Sequence, residues 1–118
     1  MNADRQRLTD ILDAVEKIER IAGRGRNAFD DDELVQVWMI HHVQVTGEAA
    51  RALSAETRAK HPNVPWKLIV GMRHILVHHY FGIDLNEVWN VVERDLPDLK
   101  ARINAVVSEM DSPPPHSC

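Results

Sequence analysis

The sequence predicts an all-α fold, a bundle of four or five main helices. Apolar residues recur at spacings of three and four along most of the chain, which is the period of an amphipathic helix. No segment sustains an alternation of apolar and polar residues, and no Asn-Gly or Asp-Gly pair offers a hairpin turn. The 118 residues are enough for one domain, which we expect over residues 1–110. Residues 111–118 include three consecutive prolines and are predicted to form a disordered tail.

The first two helices have clear beginnings and ends. Six apolar residues form the stripe of the first helix: Leu8, Ile11, Leu12, Val15, Ile18 and Ala22. Gly23 and Gly25 end it. Asp30, followed three places later by Glu33, predicts a capping box that opens a second helix, which runs to about Leu53.

The second helix and a third one, over about residues 64–80, each carry apolar residues on two sides. In the second helix one stripe contains Leu34, Val37, Trp38, Val45 and Ala52, and the other contains Val35, Met39 and Val43. In the third the stripes are Trp66, Ile69, Leu76 and Tyr80 against Leu68, Met72 and Ile75. Both sides of such helices need a cover, and a chain this short offers few neighbours. We therefore expect a homodimer whose interface buries about 1,600 Å² or more, built from the helices that bear His41 and Arg73.

Shorter signals complete the predicted bundle. Residues 54–60 are typical of a short helical turn, and residues 61–65 of a break that ends in a proline. Gly82 stops the third helix, and Asp84 with Glu87 caps the next. Two further stripes, separated by a break at Pro97, contain Leu85, Val88, Trp89, Val92 and Leu96, then Leu99, Ile103, Val106 and Met110.

Composition narrows the classes of function. A net charge of −4 argues against a protein that coats nucleic acid nonspecifically, although a confined basic site is compatible with it. The single cysteine, Cys118, has no partner in the chain, which favours a reducing, cytoplasmic location. Neither a secretion signal nor a membrane anchor is expected, because the longest apolar run is far too short to span a bilayer.

Chemistry is concentrated at the end of the third helix. Arg73 and Tyr80 are seven residues apart and so lie within roughly 20° on one stripe, while His78 sits one turn before the helix ends. A guanidinium, an imidazole and a phenol suit phosphodiester cleavage without a metal. The arginine stabilises the charge of a phosphorane-like transition state, and the histidine moves a proton from a ribose 2′-OH or to the leaving oxygen.

Structural roles for these residues stay open at this point. Arg73 is also typical of a salt bridge at an interface, and His78 and Tyr80 of hydrogen-bonded groups in a core or interface. His74 and His78, at i and i+4, have a spacing that can hold a metal. The third-ligand candidates, His41, His42 and Glu48, are placed only loosely, and we predict no metal site.

Longer stretches of sequence resemble a known family. They are Pro65-Trp66-Lys67-Leu68-Ile69-Val70-Gly71-Met72-Arg73, His78-His79-Tyr80-Phe81-Gly82-Ile83-Asp84-Leu85, Val88-Trp89 and Asp95-Leu96-Pro97, with Gly47-Glu48-Ala49-Ala50-Arg51-Ala52-Leu53-Ser54 upstream. Together they resemble the HepT-like branch of the HEPN proteins, whose R-x4-H-x-Y signature falls on Arg73, His78 and Tyr80. The residue after the arginine is often Asn in that family and is His74 here, and His79 occupies the variable position of the signature.

The resemblance implies a function. HepT-like proteins are helical homodimers in which both subunits bring Arg and His to a shared cleft, and they cleave RNA, such as tRNA or mRNA, without a metal. Arg73 and His78 are then catalytic, with His74 as a helper. The partner is an MNT-type nucleotidyltransferase antitoxin, which uses ATP and Mg²⁺ to attach AMP to the motif tyrosine, Tyr80. The chain itself would need no cofactor.

One rival belongs to another class, namely a catalytically weak helical module that docks to its nucleotidyltransferase or presents a substrate to it. The net acidity of the chain favours this rival, whereas the intact set of Arg73, His78 and Tyr80 favours the nuclease. A third reading, a metal-binding bundle, would be tested by metal analysis of protein purified without an affinity tag.

Overall fold

The computed structural model describes residues 2–71 and 85–111, which are helical except for short connections and contain no strand. This confirms the predicted all-α class. The elements are α1 (Asn2–Ala22), α2 (Arg26–Asp31), α3 (Glu33–Arg51), α4 (Ala55–Lys60), α5 over residues 66–71, α6 (Leu85–Asn90), a π-helical segment (Val91–Asp95) and α7 (Leu96–Asp111). None of the helices in these two described stretches is long and apolar enough to cross a lipid bilayer.

Helix α1 lies at the centre, with α3 and α7 both antiparallel to it. Contacts at the two ends of α1 show the direction of α3, because Asp4 hydrogen-bonds Ser54 whereas the carbonyl of Lys17 accepts a bond from the Trp38 indole. The apolar side of α1 is fully buried between these helices, through Leu8, Ile11, Val15 and Ile18. This stripe is the one that the sequence predicts.

The direction of α7 follows in the same way. Arg5 pairs with Asp111 at 2.8 Å near the start of α1, and Glu19 pairs with Lys100 at 2.8 Å near its end. Asp111, which we predicted as the first residue of the tail, belongs to α7, and both of its carboxylate oxygens accept bonds from Arg5. The rest of the predicted tail, residues 112–118, lies outside the described residues.

The boundary between α2 and α3 differs from the prediction. Asp30 does not open the long helix, because it belongs to the short helix α2, where it pairs with Arg26 at 2.8 Å. The N-cap of α3 is Asp32, whose extended backbone turns the chain and whose carboxylate accepts a bond from the backbone N–H of Leu34. The end predicted for the first helix is confirmed, because α1 stops at Ala22, directly before Gly23. Gly25, which precedes α2, has φ +92°, a conformation that favours glycine.

The predicted break at Pro97 is wrong, because the chain stays helical from residue 85 to 111. Pro97 is the second residue of α7, and its ring would clash with the carbonyl four residues earlier in a regular α-helix. The wider π turn of Val91–Asp95 precedes it, and the N–H of Leu96 bonds to the carbonyl of Val91, five residues back. The helix thus accommodates Pro97 by a local change from α-helical to π-helical hydrogen bonding.

Candidate functional site

The four residues predicted to carry the chemistry, Arg73, His74, His78 and Tyr80, lie outside the described residues. What the structure describes is the scaffold on either side of them, which ends at residue 71 in α5 and resumes at Leu85 in α6. The capping pair predicted at the start of α6 also falls partly outside, since Asp84 is not described.

The chain before the motif is held by a buried tryptophan. The indole Nε1 of Trp66 donates to two carbonyl oxygens, that of His61 at 2.9 Å and that of Arg58 at 3.1 Å. Val64 and Ile69, on either side of it, are buried in the core. These two hydrogen bonds therefore fix the start of α5 to the end of α4. The chain continues towards the motif from this fixed point.

The chain after the motif is held by a second tryptophan. Trp89 packs on Phe29 with ring centroids 5.3 Å apart, and its indole donates to Glu93 at 3.0 Å. The guanidinium of Arg26 lies 5.9 Å from the centre of the Trp89 ring and also hydrogen-bonds Asn86. Both ends of the segment that bears the motif are thus anchored to the helical core.

Helix α3 presents its two apolar stripes very differently. The inner stripe, Val35, Met39 and Val43, is buried against the core. The outer stripe, Leu34, Val37, Trp38, Val45 and Ala52, is largely uncovered: Leu34 is 79% exposed and Val37 57% exposed. On α5, Leu68 is likewise 50% exposed, on the side away from buried Ile69. The described residues of one chain therefore cover one side of α3 and one side of α5. This agrees with the two apolar stripes that the sequence predicts for each of these helices.

Two adjacent histidines of α3 border a groove of about 670 Å³ between α1 and α3. The ring of His42, only 8% exposed, packs edge-on against Trp38 at 4.6 Å and against His41 at 4.8 Å between centroids. Burial, followed by the nearby His41 and Lys17, lowers the pKa of His42. His42 is therefore a neutral, packed side chain near pH 7.

The same groove does not have the character of a metal or polyanion site. Its lining includes Arg7 and Lys17, but also the carboxylates of Asp10, Asp13 and Glu48. Over residues 2–71 and 85–111, no three His, Cys, Asp or Glu side chains are grouped so that they could hold a metal ion.

A second hollow, of about 520 Å³, lies where α4 leads into α5, and sequence reasoning did not find it. We call it the α4–α5 hollow; its lining residues include Ala55, Arg58, Pro62, Trp66 and Lys67, and no carboxylate. Nε of Arg58 is buried with no hydrogen-bond partner. The overlooked signal is the distribution of acids, because no Asp or Glu occurs between residues 57 and 83.

Comparison with known proteins identifies the class to which this scaffold belongs. The profile of the family described as "Ribonuclease HepT-like" matches residues 11–106. A Methanocaldococcus jannaschii protein named "Putative RNase MJ1380" is 38% identical over 100 residues, which cover 84% of this chain and 92% of that protein. A Caldanaerobacter subterraneus subsp. tengcongensis protein named "Putative RNase TTE0752" is 33% identical over 110 residues, covering 92% of this chain and 98% of the relative.

A third relative carries the family name itself. The "Probable ribonuclease HepT" of Thermococcus cleftensis is 34% identical over 98 residues, which cover 80% of this chain and 87% of that protein. No solved structure matches the chain significantly. The class is thus that of an all-α ribonuclease. The chain belongs to the HepT-like ribonuclease family.

Proposed function

We propose that this chain is the toxin of a two-gene toxin–antitoxin module and works in the cytoplasm as a homodimeric endoribonuclease that needs no metal ion. The observation that carries the dimer is the outer stripe of α3, where Leu34 and Val37 are mostly exposed although the stripe is apolar. An exposed apolar face of this kind is typical of an interface between protein chains. In this proposal a second subunit buries the apolar side chains that the described residues of one chain leave exposed.

The reaction follows from the proposed roles of the motif residues. The 2′ oxygen of a ribose attacks the adjacent phosphorus, and the bond from that phosphorus to the 5′ oxygen breaks. His78 either takes the proton from the 2′-OH as general base or delivers a proton to the leaving 5′ oxygen as general acid, and water carries the other proton. The products are a 2′,3′-cyclic phosphate and a new 5′-OH end. Arg73 neutralises the charge that develops on the phosphate oxygens, and His74 assists as a polar helper. No metal or cofactor takes part in this scheme.

Cleavage in the presence of EDTA tests the nuclease proposal. We expect the wild-type protein to cut RNA under these conditions, and His78→Ala to lose at least about 100-fold in rate, because general acid–base catalysis is worth 10²–10⁴. Arg73→Lys keeps the charge but loses the planar fork, so it should also lose most of the activity. Full activity in His78→Ala, or no cleavage by the wild type, would favour the docking module instead.

The switch in this proposal is Tyr80. An MNT-type nucleotidyltransferase, using ATP and Mg²⁺, transfers AMP to the phenol oxygen and releases pyrophosphate. The added phosphate and its bulk, placed near Arg73, would both occupy the cation and block access to the site. The antitoxin thereby silences the nuclease by a covalent change.

Mass spectrometry after incubation with that enzyme, ATP and Mg²⁺ tests the switch. Wild type should gain AMP and lose nuclease activity, whereas Tyr80→Phe should stay unlabelled and active, because only the hydroxyl is removed. Equal labelling of the two proteins would show that another residue is the acceptor. If Tyr80 is merely a buried hydrogen-bonding group, its loss would cost about 1 kcal/mol of stability and change no regulation.

A further inference from the structure

The charges of this acidic chain are segregated along its length. Residues 57–83 contain four of the 14 Lys and Arg residues and none of the 18 Asp and Glu residues. The rest of the chain therefore carries all the negative charge. Within this segment, which includes both the α4–α5 hollow and the motif, a polyanion meets cationic side chains and no carboxylate.

The described part of the segment has the features of an anion site. Arg58 and Lys67 line the same hollow, and neither makes an ion pair with any carboxylate in the described stretches. Two acids lie beside neighbouring residues of the segment: Glu56 is 3.4 Å from Lys60, and Glu109 is 3.9 Å from the ring of His61. The side chain of Arg58 is half-buried and that of Lys67 is exposed, and no carboxylate in the lining of the hollow competes for either cation.

Position along the chain connects this hollow to the motif. In the helix that the sequence predicts over residues 64–80, Lys67, Gly71, His74 and His78 share one face, within roughly 60° at about 100° per residue. Glycine is among the least favourable residues inside a helix. Among the described residues no atom lies within 4 Å of a Cβ built at Gly71.

We propose that Arg58 and Lys67 bind backbone phosphates of the RNA substrate on one side of the scissile bond. This inference rests on the proposed function and assigns to it a second contact region, outside the signature. If the helix predicted from the sequence over residues 64–80 is regular, Lys67 precedes Arg73 by about 9 Å and His78 by about 16.5 Å of helix rise, which corresponds to about three to five nucleotides at 3.4 Å each. The substrate is accordingly an RNA strand that extends past the cleavage site, read through its phosphates and without base specificity at this surface.

The experiment measures RNA binding in a protein that cannot cut. In the His78→Ala background, binding of a fluorescent single-stranded RNA is followed by anisotropy between about 50 and 200 mM salt. Arg58→Glu with Lys67→Glu is compared with Arg20→Glu with Arg24→Glu, which makes the same change of charge at the other end of α1. Lys67→Glu alone is a second variant, because this exposed position does not bear on folding. Thermal melting confirms the fold of each.

We expect the Kd of the Arg58/Lys67 double variant to rise at least about tenfold at the lowest salt. Its plot of log affinity against log salt should become shallower by about 1.4, the value for two lost phosphate contacts on a single strand. The control pair should change the Kd by less than about twofold. Lys67→Glu alone should make the plot of log affinity against log salt shallower by about half as much as the double variant does.

Unchanged binding in the double variant, or an equal loss in the control pair, would overturn the proposal. If RNA binding persists while labelling by the nucleotidyltransferase is lost, the surface serves the protein partner and the proposal is equally wrong. Because this assay does not depend on cleavage, it is independent of the test in EDTA. A chain that binds RNA through this surface but cuts none would contradict the proposed nuclease and leave the surface intact.

Discussion

The two sides of α3 have similar residues and different surroundings. The inner stripe, with Met39 fully buried, packs into the core around α1, whereas the outer stripe leaves Val37 more than half exposed. Both stripes are apolar, so hydrophobicity alone does not separate them. The difference shows that one side of this helix stabilises the subunit, and it leaves the other side available for association.

The largest effect on subunit stability is expected on the inner side. Met39→Ala removes fully buried atoms and leaves a cavity, which should lower the free energy of unfolding by about 2–5 kcal/mol. Leu34→Ala is the matched control, because it removes as many heavy atoms from a side chain that is 79% exposed. It should change the free energy of unfolding of the monomer by less than about 0.5 kcal/mol.

Folding is separated from association by combining each variant with Val37→Glu, a substitution that we expect to disrupt the dimer. The free energy of unfolding of the resulting monomers is then measured by urea titration. Similar losses in the two variants would mean that the outer stripe is as important as the inner one to the fold of a single chain.

The next effect concerns association. Val37→Glu places a charge within the outer stripe, so we expect the dissociation constant of the dimer to rise at least about 100-fold, or about 2.7 kcal/mol. Sedimentation velocity measures it, with Ala105→Glu on the exposed face of α7 as a control of equal charge. A dimer that survives Val37→Glu unchanged would place the interface elsewhere.

The smallest effect concerns the contact between α1 and the start of α4. Hydrogen bonds from the side chains of Ser54 and Thr57, and from the backbone N–H of Ser54, lower the pKa of Asp4 from 3.8 to about 2. Because the folded-state pKa is depressed, the stabilisation is fully present above pH 4 and is lost as the pH falls towards 2. Since Asp4 is only partly buried, we expect about 1 kcal/mol for Asp4→Asn at pH 7.

Unfolding by urea at a series of pH values measures this contribution. Asp13→Asn, at an exposed position on the same helix, is the control and should have little effect. The gap between Asp4→Asn and wild type should close at low pH. A gap that persists at pH 2 would mean that the aspartate acts through packing rather than through its charge.

The sequence predicts the helical class, the double character of α3 and the end of α1, because periodicity and glycine act locally. It does not predict which acid caps α3, since Asp30 and Asp32 both suit the role. In the structure Asp30 belongs to α2 and pairs with Arg26, and Asp32 caps α3. The π turn before Pro97 was also missed, because a proline can end a helix or be accommodated in one. The α4–α5 hollow was missed because its cations are brought together by the fold, through the bonds of the Trp66 indole.

The candidate catalytic site was predicted from the short R-x4-H-x-Y signature, which lies within longer stretches that resemble the family. Family membership confirms the ribonuclease class, whereas the roles of Arg73, His74, His78 and Tyr80 stay predictions, since these residues lie outside the described part of the chain. Spacing alone could not decide between catalysis and an interface salt bridge for Arg73.

The most direct test of the proposed dimeric ribonuclease measures mass and RNA cleavage on the same wild-type sample as it is diluted, in the presence of EDTA. We expect light scattering to give twice the chain mass of 13.5 kDa at micromolar concentration. The specific activity should then fall in step with the dimer fraction. A monomer of 13.5 kDa that cleaves RNA at full rate would contradict the claim that the outer stripe of α3 completes the enzyme by pairing two subunits.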